Sequence, residues 1–570
     1  MSPLGPGGRI LLTPWTAATL ALVALFLLPL ATIFAGILGE PSDTWRHLAS
    51  TVLFDYAWHS VVLVLGVGLL ALVLGITSGW LVTTCEFPGR AVFAWSLVLP
   101  LSIPTYIMAY TYAAIFGHTG PVQALLQVAL EPETTAGLRT GLMSLPGAAV
   151  ILALALYPYV YLITRASFMK QSGGILESAR ILGRSPWRMF LGVALPVARP
   201  AIVAGVTLVL MEVLNEYGAV RYFGVTTFTT GIFRAWFSLG DAAAAIRLSG
   251  CLLLLVFALI VVERIQRGRA RFDSGPAPAR PVVRFQLAGW KKWGAFLACG
   301  IPVLFGFIVP VAQLVTWGLG AAAEVADPRF LRLTVNSFAL GLVAALLAVT
   351  AALVIVYSVR LAPTAVLRLA ARASSLGYSI PGAVIAVGIL IPFVWLDRRL
   401  APVLSQLSGS PAGLVLTGTA AALVFAYVVR FLAVSMNSLD AGFERTCANM
   451  DESSRSLGVA PLRTLLRVNV PLLRGTLLAA GLLVFVDVLK ELPLTLILRP
   501  FDFDTLATRA FQLAMDEQVA RSALPSLLII AIGLIPVVLL TRLMEGDRGG
   551  DGEAPAGALA GVHPAGITRT

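Results

Sequence analysis

Apolar stretches long enough for a helix to cross about 30 Å of hydrocarbon recur along nearly the whole chain, and nothing else constrains its fold as much. They fall at 15–37, 59–82, 91–116, 147–164, 200–219 and 246–262. Past a basic linker they resume at 294–318, 335–359, 375–396, 412–429, 475–494 and 523–541. The expectation is an all-α membrane protein of about twelve spanning helices. Arg9 precedes the first stretch, which is longer than the 7–15-residue apolar region of a signal peptide and therefore reads as a helix. Only 12% of the residues are charged, where soluble domains carry about a quarter, so lipid bilayer is the expected surround.

An even number of spans places both termini on one side of the membrane. With that side cytoplasmic, the inner segments and termini hold 28 of the 41 Lys and Arg, Arg430 among them, which is the bias that orients membrane proteins. The net charge of +12 therefore reports orientation, and no nucleic-acid partner is expected: the Arg lie in short runs between apolar segments, without interleaved aromatics. Cys85, Cys251, Cys299 and Cys447 are far apart, as are His47, His59, His118 and His563. Neither set has the spacing of metal ligands, so neither a fixed metal site nor a catalytic constellation is expected.

The chain divides into a first half at 1–262, a linker at 263–292 rich in Arg and Pro, a second half at 293–544 and a Gly-, Ala- and Pro-rich tail at 545–570, expected to be disordered. The halves repeat one another. Residues 177–188, ESARILGRSPWR, match 452–463, ESSRSLGVAPLR, at an offset of 275. The offset pairs Glu177 with Glu452, Gly183 with Gly458, Pro186 with Pro461, Pro196 with Pro471 and Glu216 with Glu491. It continues to Phe228 with Phe503, Arg234 with Arg509 and Asp241 with Asp516, about 60 residues in all. Six spans per half make this a parallel repeat.

Locally, 173–183 reads as a short polar helix ended by Gly183, which can take the left-handed conformation of a sharp exit. Pro186 and Pro461 then open the next helix, where a missing N–H costs nothing. Pro196 and Pro471 are expected to mark bends into spans 5 and 11. A basic amphipathic loop lying on the inner leaflet is the alternative, but such a loop has no reason to repeat Glu, Gly and Pro at one spacing. A docking helix offered twice to a two-fold symmetric partner does.

The pattern resembles the EAA loop of bacterial ABC-importer permeases: Glu-Ala-Ala, then Gly, then Leu-Pro. Here it stands as Glu177-Ser178-Ala179, Gly183 and Leu195-Pro196 within 173–196, and again as Glu452-Ser453-Ser454, Gly458 and Val470-Pro471 within 448–471. Ser178, Ser453, Ser454 and Val470 depart from it with small or apolar residues. The resemblance implies a type I ABC importer permease in which each loop enters a cleft on a cytoplasmic ATPase subunit. It implies two such ATPases, a periplasmic substrate-binding protein and a bacterial inner-membrane location. No Gly-Lys dipeptide occurs, so the chain has no ordinary P-loop. ATP and Mg²⁺ are then the business of the partner subunit, and this chain is a transport subunit that binds no cofactor and is no enzyme.

Spans 5 and 11 are interrupted by acids, Glu212 and Glu216 in one, Asp487 and Glu491 in the other, each pair at i, i+4 and the pairs again 275 apart. Carboxylates inside a membrane are costly and suggest function, here a substrate path. The competing reading is a gate held by ion pairs to Lys490, Arg221 or Arg234, with Lys490 neutralising its neighbour Glu491. The sequences EYGAVRYFGVTTFTTGIFRAWF at 216–237 and VDVLKELPLTLILRPFDFDTLATRAFQLA at 486–514 look like those of ferric-iron importer permeases, whose hard cargo suits carboxylates. Permeases for thiamine and organophosphonates share the fused layout and remain alternatives. So does a secondary transporter of two parallel six-helix repeats, although it would need no matched docking loops.

Overall fold

The computed structural model describes residues 13–117, 120–121, 141–171, 181–183, 185–267, 284–325, 327–408, 414–444 and 449–549. Nine helices among them are long and apolar enough to cross a membrane, and three bent pairs bring the number to twelve if each counts as one span. In the first half, spans 1, 2, 4 and 6 are Pro14–Ile37, Leu53–Thr84, Leu145–Gln171 and Ala242–Arg267. Their counterparts are a run from Trp290 to Val325, then Pro328–Leu361, Ala420–Glu444 and Val519–Gly549. The sixth helix thus extends into the linker, whose residues 268–283 lie outside the described ones, as do residues 550–570 of the tail.

Spans 3 and 9 correct the expectation of unbroken helices. Arg90–Ser102 and Thr105–Ile115 meet at 92°, and Ala365–Ser379 and Gly382–Val403 at 114°. The cause is local and the same in both halves. A 3₁₀ turn, Leu99–Ser102 or Ser375–Ser379, runs into Ile103-Pro104 or Ile380-Pro381. A residue before proline is driven out of the helical region, and both isoleucines are extended, at ψ 116° and 129°. The two Ser-Ile-Pro segments, Ser102–Pro104 and Ser379–Pro381, stand 277 apart, a second repeat.

Pro196 and Pro471 are each preceded by a π-helical turn, Phe190–Ala194 and Leu465–Asn469. A wider turn is a recognised way to fit a residue that breaks the regular ladder. The expected bend follows only in the second half, where Pro461–Leu472 and Arg474–Lys490 meet at 79°. In the first half the helix runs on from Trp187 to Asn215.

Spans 2, 4 and 5 pack on one another, and spans 8, 10 and 11 repeat that cluster. Close approach of spans 2 and 4 depends on small residues: a Cβ on Gly75 would stand 2.6 Å from Val160 Cβ, and one on Gly79 2.9 Å from Thr164 Oγ1. The halves then exchange partners. Span 1 packs against span 9, and span 7 against span 3. The end of the linker returns to the foot of span 2, where Phe285-Gln286 form a parallel bridge with Cys85-Glu86 and Arg284 lies 3.5 Å from Glu86. Leu65, Leu69, Leu342 and Leu346 stay exposed on the helix flanks, as a lipid-facing surface requires.

Candidate functional site

Four interruptions of helix meet at the centre of the molecule: the breaks of spans 3 and 9, and the ends of helices Leu195–Asn215 and Arg474–Lys490. They enclose a cavity of about 130 Å³ lined by Glu212, Glu216, Asp487, Glu491, Arg430 and Lys490, together with tyrosines and backbone. The structure therefore brings together all four acids singled out in the sequence. Glu212 and Asp487 lie within their helices, whereas Glu216 and Glu491 are the residues on which the helices end, at ψ 127° and 120°.

Each glutamate then caps the short helix after it. Glu216 Oε1 accepts from Ala219 N at 2.8 Å, and Glu491 Oε1 from Leu494 N at 3.2 Å. A carboxylate at the start of a helix satisfies a donor that has no partner within it. The second oxygens are treated differently in the two halves. Thr105 donates its hydroxyl to Glu216 Oε2. The counterpart of Thr105 is Gly382, which has no side chain, and Arg430 Nε stands 3.2 Å from Glu491 Oε2. Arg430 Nη1 also donates to the Ile380 carbonyl at 3.1 Å, and both ion-pair side chains are only 6% exposed. Arg430, expected in a cytoplasmic segment, lies inside Ala420–Glu444 at the central cavity. A lone cation among apolar residues at 420–434 was the signal available.

The pairing of Glu491 with Lys490 is corrected as well. Lys490 Nζ instead donates to the carbonyl of Leu101 at 3.2 Å, at the break of span 3. Its repeat partner Asn215 does the mirror task, with its Oδ1 accepting from Gly382 N at 2.8 Å at the break of span 9. Tyr378 reaches across too, donating to Glu212 Oε1 at 3.4 Å. Arg221 and Arg234 remain exposed. Among the described residues, no three His, Cys, Asp or Glu are grouped so as to hold a metal ion.

Next to this cavity lies a larger one of about 470 Å³, with Tyr217 lining both. Tyr217 stacks on Phe233 at 3.5 Å between ring centroids and lies 6.1 Å from Phe511. Beyond this point the repeat changes register. Thr227 and Thr505 open equivalent helices with matching capping boxes, and Phe228 N and Leu506 N bond Ser60 and Ser337. The offset here is 278, so the pairings of Phe228 with Phe503, Arg234 with Arg509 and Asp241 with Asp516 do not describe equivalent places. Three additional residues before Thr505 account for the shift.

The candidate coupling loops lie at the other ends of spans 5 and 11. Glu177, Ser178 and Ala179 are outside the described residues. In the second copy, Asn449–Ser456 is a helix whose end has the Schellman pattern, Val459 N donating to Ser454 O at 3.1 Å and Gly458 N to Arg455 O at 2.9 Å. Gly183 and Gly458 both have φ +73°, and a Cβ on either would meet nothing within 4 Å. Glu452 and Ser453 are exposed, while Ser454 is buried with its hydroxyl 2.6 Å from Thr464 Oγ1. Leu182 and Leu457, equivalent by the 275 offset, are 80% and 81% exposed. Asp451, which sequence reasoning missed, anchors the loop: Arg360 Nε donates to it at 2.6 Å and Asn469 Nδ2 at 3.0 Å.

Residues 71–271 match the family model described as a binding-protein-dependent transport system inner membrane component. Over 531 residues, 91% of this chain and 97% of the relative, the sequence is 26% identical to the Fe(3+)-transport system permease protein FbpB 2 of Haemophilus influenzae. It is 29% identical over 235 residues to the molybdenum transport system permease protein ModB of Escherichia coli, matching 38% of this chain and 99% of that protein. It is also 29% identical over 197 residues to the sulfate transport system permease protein CysW of Escherichia coli, 34% of this chain and 65% of that one.

Proposed function

We propose that this chain is a permease of the binding-protein-dependent importer type with its two halves fused, and that it carries ferric iron inward across the bacterial inner membrane. Two cytoplasmic ATPase subunits drive it, using ATP and Mg²⁺, and a periplasmic binding protein delivers the cargo. Both termini face the cytoplasm. The chain itself binds no cofactor and catalyses no reaction.

The observation that carries this reading is the central cavity, where four carboxylates converge from symmetry-related helices. Ferric ion is a hard cation that seeks oxygen ligands, and carboxylates in a membrane interior suit its passage. The resemblance to an iron-transport permease along nearly the whole chain supports the same cargo. Relatives named for molybdenum and sulfate transport make an oxyanion the second reading, and Arg430 and Lys490 in the same cavity favour it to that extent.

Coupling is assigned to Glu177, Ser178, Ala179 and Gly183 in one loop and to Glu452, Ser453, Ser454 and Gly458 in the other. An exposed helix ended by a left-handed glycine, with an uncovered leucine beside it, is a surface that a second protein can grip. Gly183→Asp with Gly458→Asp is expected to abolish ATPase association while the chain still inserts. Normal co-purification of the ATPase with that double variant refutes the coupling assignment.

Cargo is tested in vesicles reconstituted with the complete transporter, using labelled ferric iron in competition with thiamine and molybdate. Iron uptake that neither competitor reduces is the expected result, and uptake of molybdate without iron overturns it. Glu216→Gln with Glu491→Gln is expected to lower iron uptake and to leave ATPase association intact. Unchanged uptake assigns those carboxylates to capping alone.

A further inference from the structure

The two halves differ in charge where they should be alike. Offset 275 places Asn215 opposite Lys490, so the first half offers a neutral amide where the second offers an ammonium. The cavity holds four acids and two bases, and those bases are not equivalent. Arg430 is committed, paired with Glu491 at 3.2 Å, bonded to Ile380 O and stacked 5.5 Å from the Phe431 ring. Lys490 has one described hydrogen bond, to Leu101 O at 3.2 Å, and no described ion pair, and its charged neighbours are Asp487 and Glu212. A lysine ammonium on four flexible carbons can be displaced without unmaking the fold; a forked, packed guanidinium cannot.

We propose that Lys490 is a tethered counter-ion that occupies the cargo's electrostatic place while the cavity is empty, and that the entering cation displaces it from Leu101. The inference rests on the cation reading above and adds the residue that senses the cargo. Buried carboxylates need a compensating charge at every stage of transport. With no cargo, Lys490 supplies it and at the same time ties helix Arg474–Lys490 to the break of span 3 in the other half. When a cation arrives it competes with the ammonium for Asp487 and Glu212, the flexible ammonium withdraws while the paired Arg430 stays, and the bond to Leu101 is lost. Cargo entry thereby loosens one of the contacts across the seam, while Asn215 to Gly382 stays.

The test uses the whole transporter in proteoliposomes with labelled ferric ion, with and without binding protein. Lys490→Asn, which copies the first half, is expected to raise uptake without binding protein about tenfold, the scale of losing one charge-assisted hydrogen bond. Lys490→Arg is expected to restore tight dependence on the binding protein. Wild-type behaviour of Lys490→Asn in both conditions, with the ATPase still bound, overturns the proposal and leaves the iron reading intact. Loss of all uptake in Lys490→Asn with rescue by Lys490→Arg overturns it differently, making Lys490 a ligand for an anion. If wild-type vesicles take up molybdate and no iron, the cation reading and this inference fall together. The converse variant guards against a folding defect: Asn215→Lys adds a second tethered cation and is expected to cut iron uptake about tenfold. Full uptake by a properly assembled Asn215→Lys transporter also overturns the idea.

Discussion

The backbone N–H of Gly382 donates to the side-chain oxygen of Asn215 at 2.8 Å, a bond between a helix end in one half and a helix break in the other. The mirror contact, Lys490 to the carbonyl of Leu101, uses a donor where the first uses an acceptor. Breaks of helix expose unpaired backbone groups, and the protein satisfies them with side chains from the opposite half. The seam between halves thus passes through the same residues that line the central cavity.

Loss of the first contact is expected to be measurable. Asn215→Leu orphans the Gly382 N–H, and an unsatisfied buried donor costs about 1–3 kcal/mol. The expected result is a lower midpoint of thermal unfolding in detergent, with ATPase association retained. An unchanged midpoint would mean that water replaces the amide.

Removing Arg430 is expected to be worse than removing the pair. Arg430→Met leaves Glu491 buried without its cation, a change of about 3–5 kcal/mol in comparable pairs. The double variant Arg430→Met with Glu491→Gln recovers much of that loss. Thermal melts of the two single variants and the double variant give the coupling, and strict additivity would show that the pair contributes nothing as a unit.

Gly382 faces the same pair. A Cβ there would stand 2.6 Å from Glu491 Oε1 and 3.2 Å from Arg430 Nη1. Gly382→Ala is therefore expected to displace the ion pair and to lower iron uptake several-fold without changing ATPase association. Uptake at the wild-type level would show that the carboxylate shifts freely.

At the loop, Leu457→Lys together with Leu182→Lys alters side chains that are about four-fifths exposed and touch little of this chain. Surface changes of this kind usually alter stability by less than about 0.5 kcal/mol. The melting midpoint is expected to hold while ATPase co-purification drops. Equal loss of both would place the leucines inside the permease's own packing.

Asp451→Ala tests whether gripping and pulling are separable. Asp451 ties the loop to span 8 through Arg360 and to the following helix through Asn469. Asp451→Ala is expected to leave the ATPase bound and hydrolysing ATP while uptake per ATP falls. Unaltered uptake per ATP would remove Asp451 from the transmission route.

The sequence by itself determined the all-helical membrane architecture and the repeat, because burial in lipid requires long apolar helices and those are legible residue by residue. It also marked the candidate coupling loops and the four acids, since Glu, Gly and Pro recurring at one offset need no three-dimensional context to be seen. Only the tertiary structure decided that spans 3 and 9 break at Ile103 and Ile380, that Arg430 rather than Lys490 faces Glu491, and that Asn215 and Lys490 reach across the seam. The physical reason is the same for each. A charge or an open backbone group inside a membrane must find a partner, but which partner is set by how helices distant in sequence are brought together, and the one-dimensional chain records only what needs to be paired.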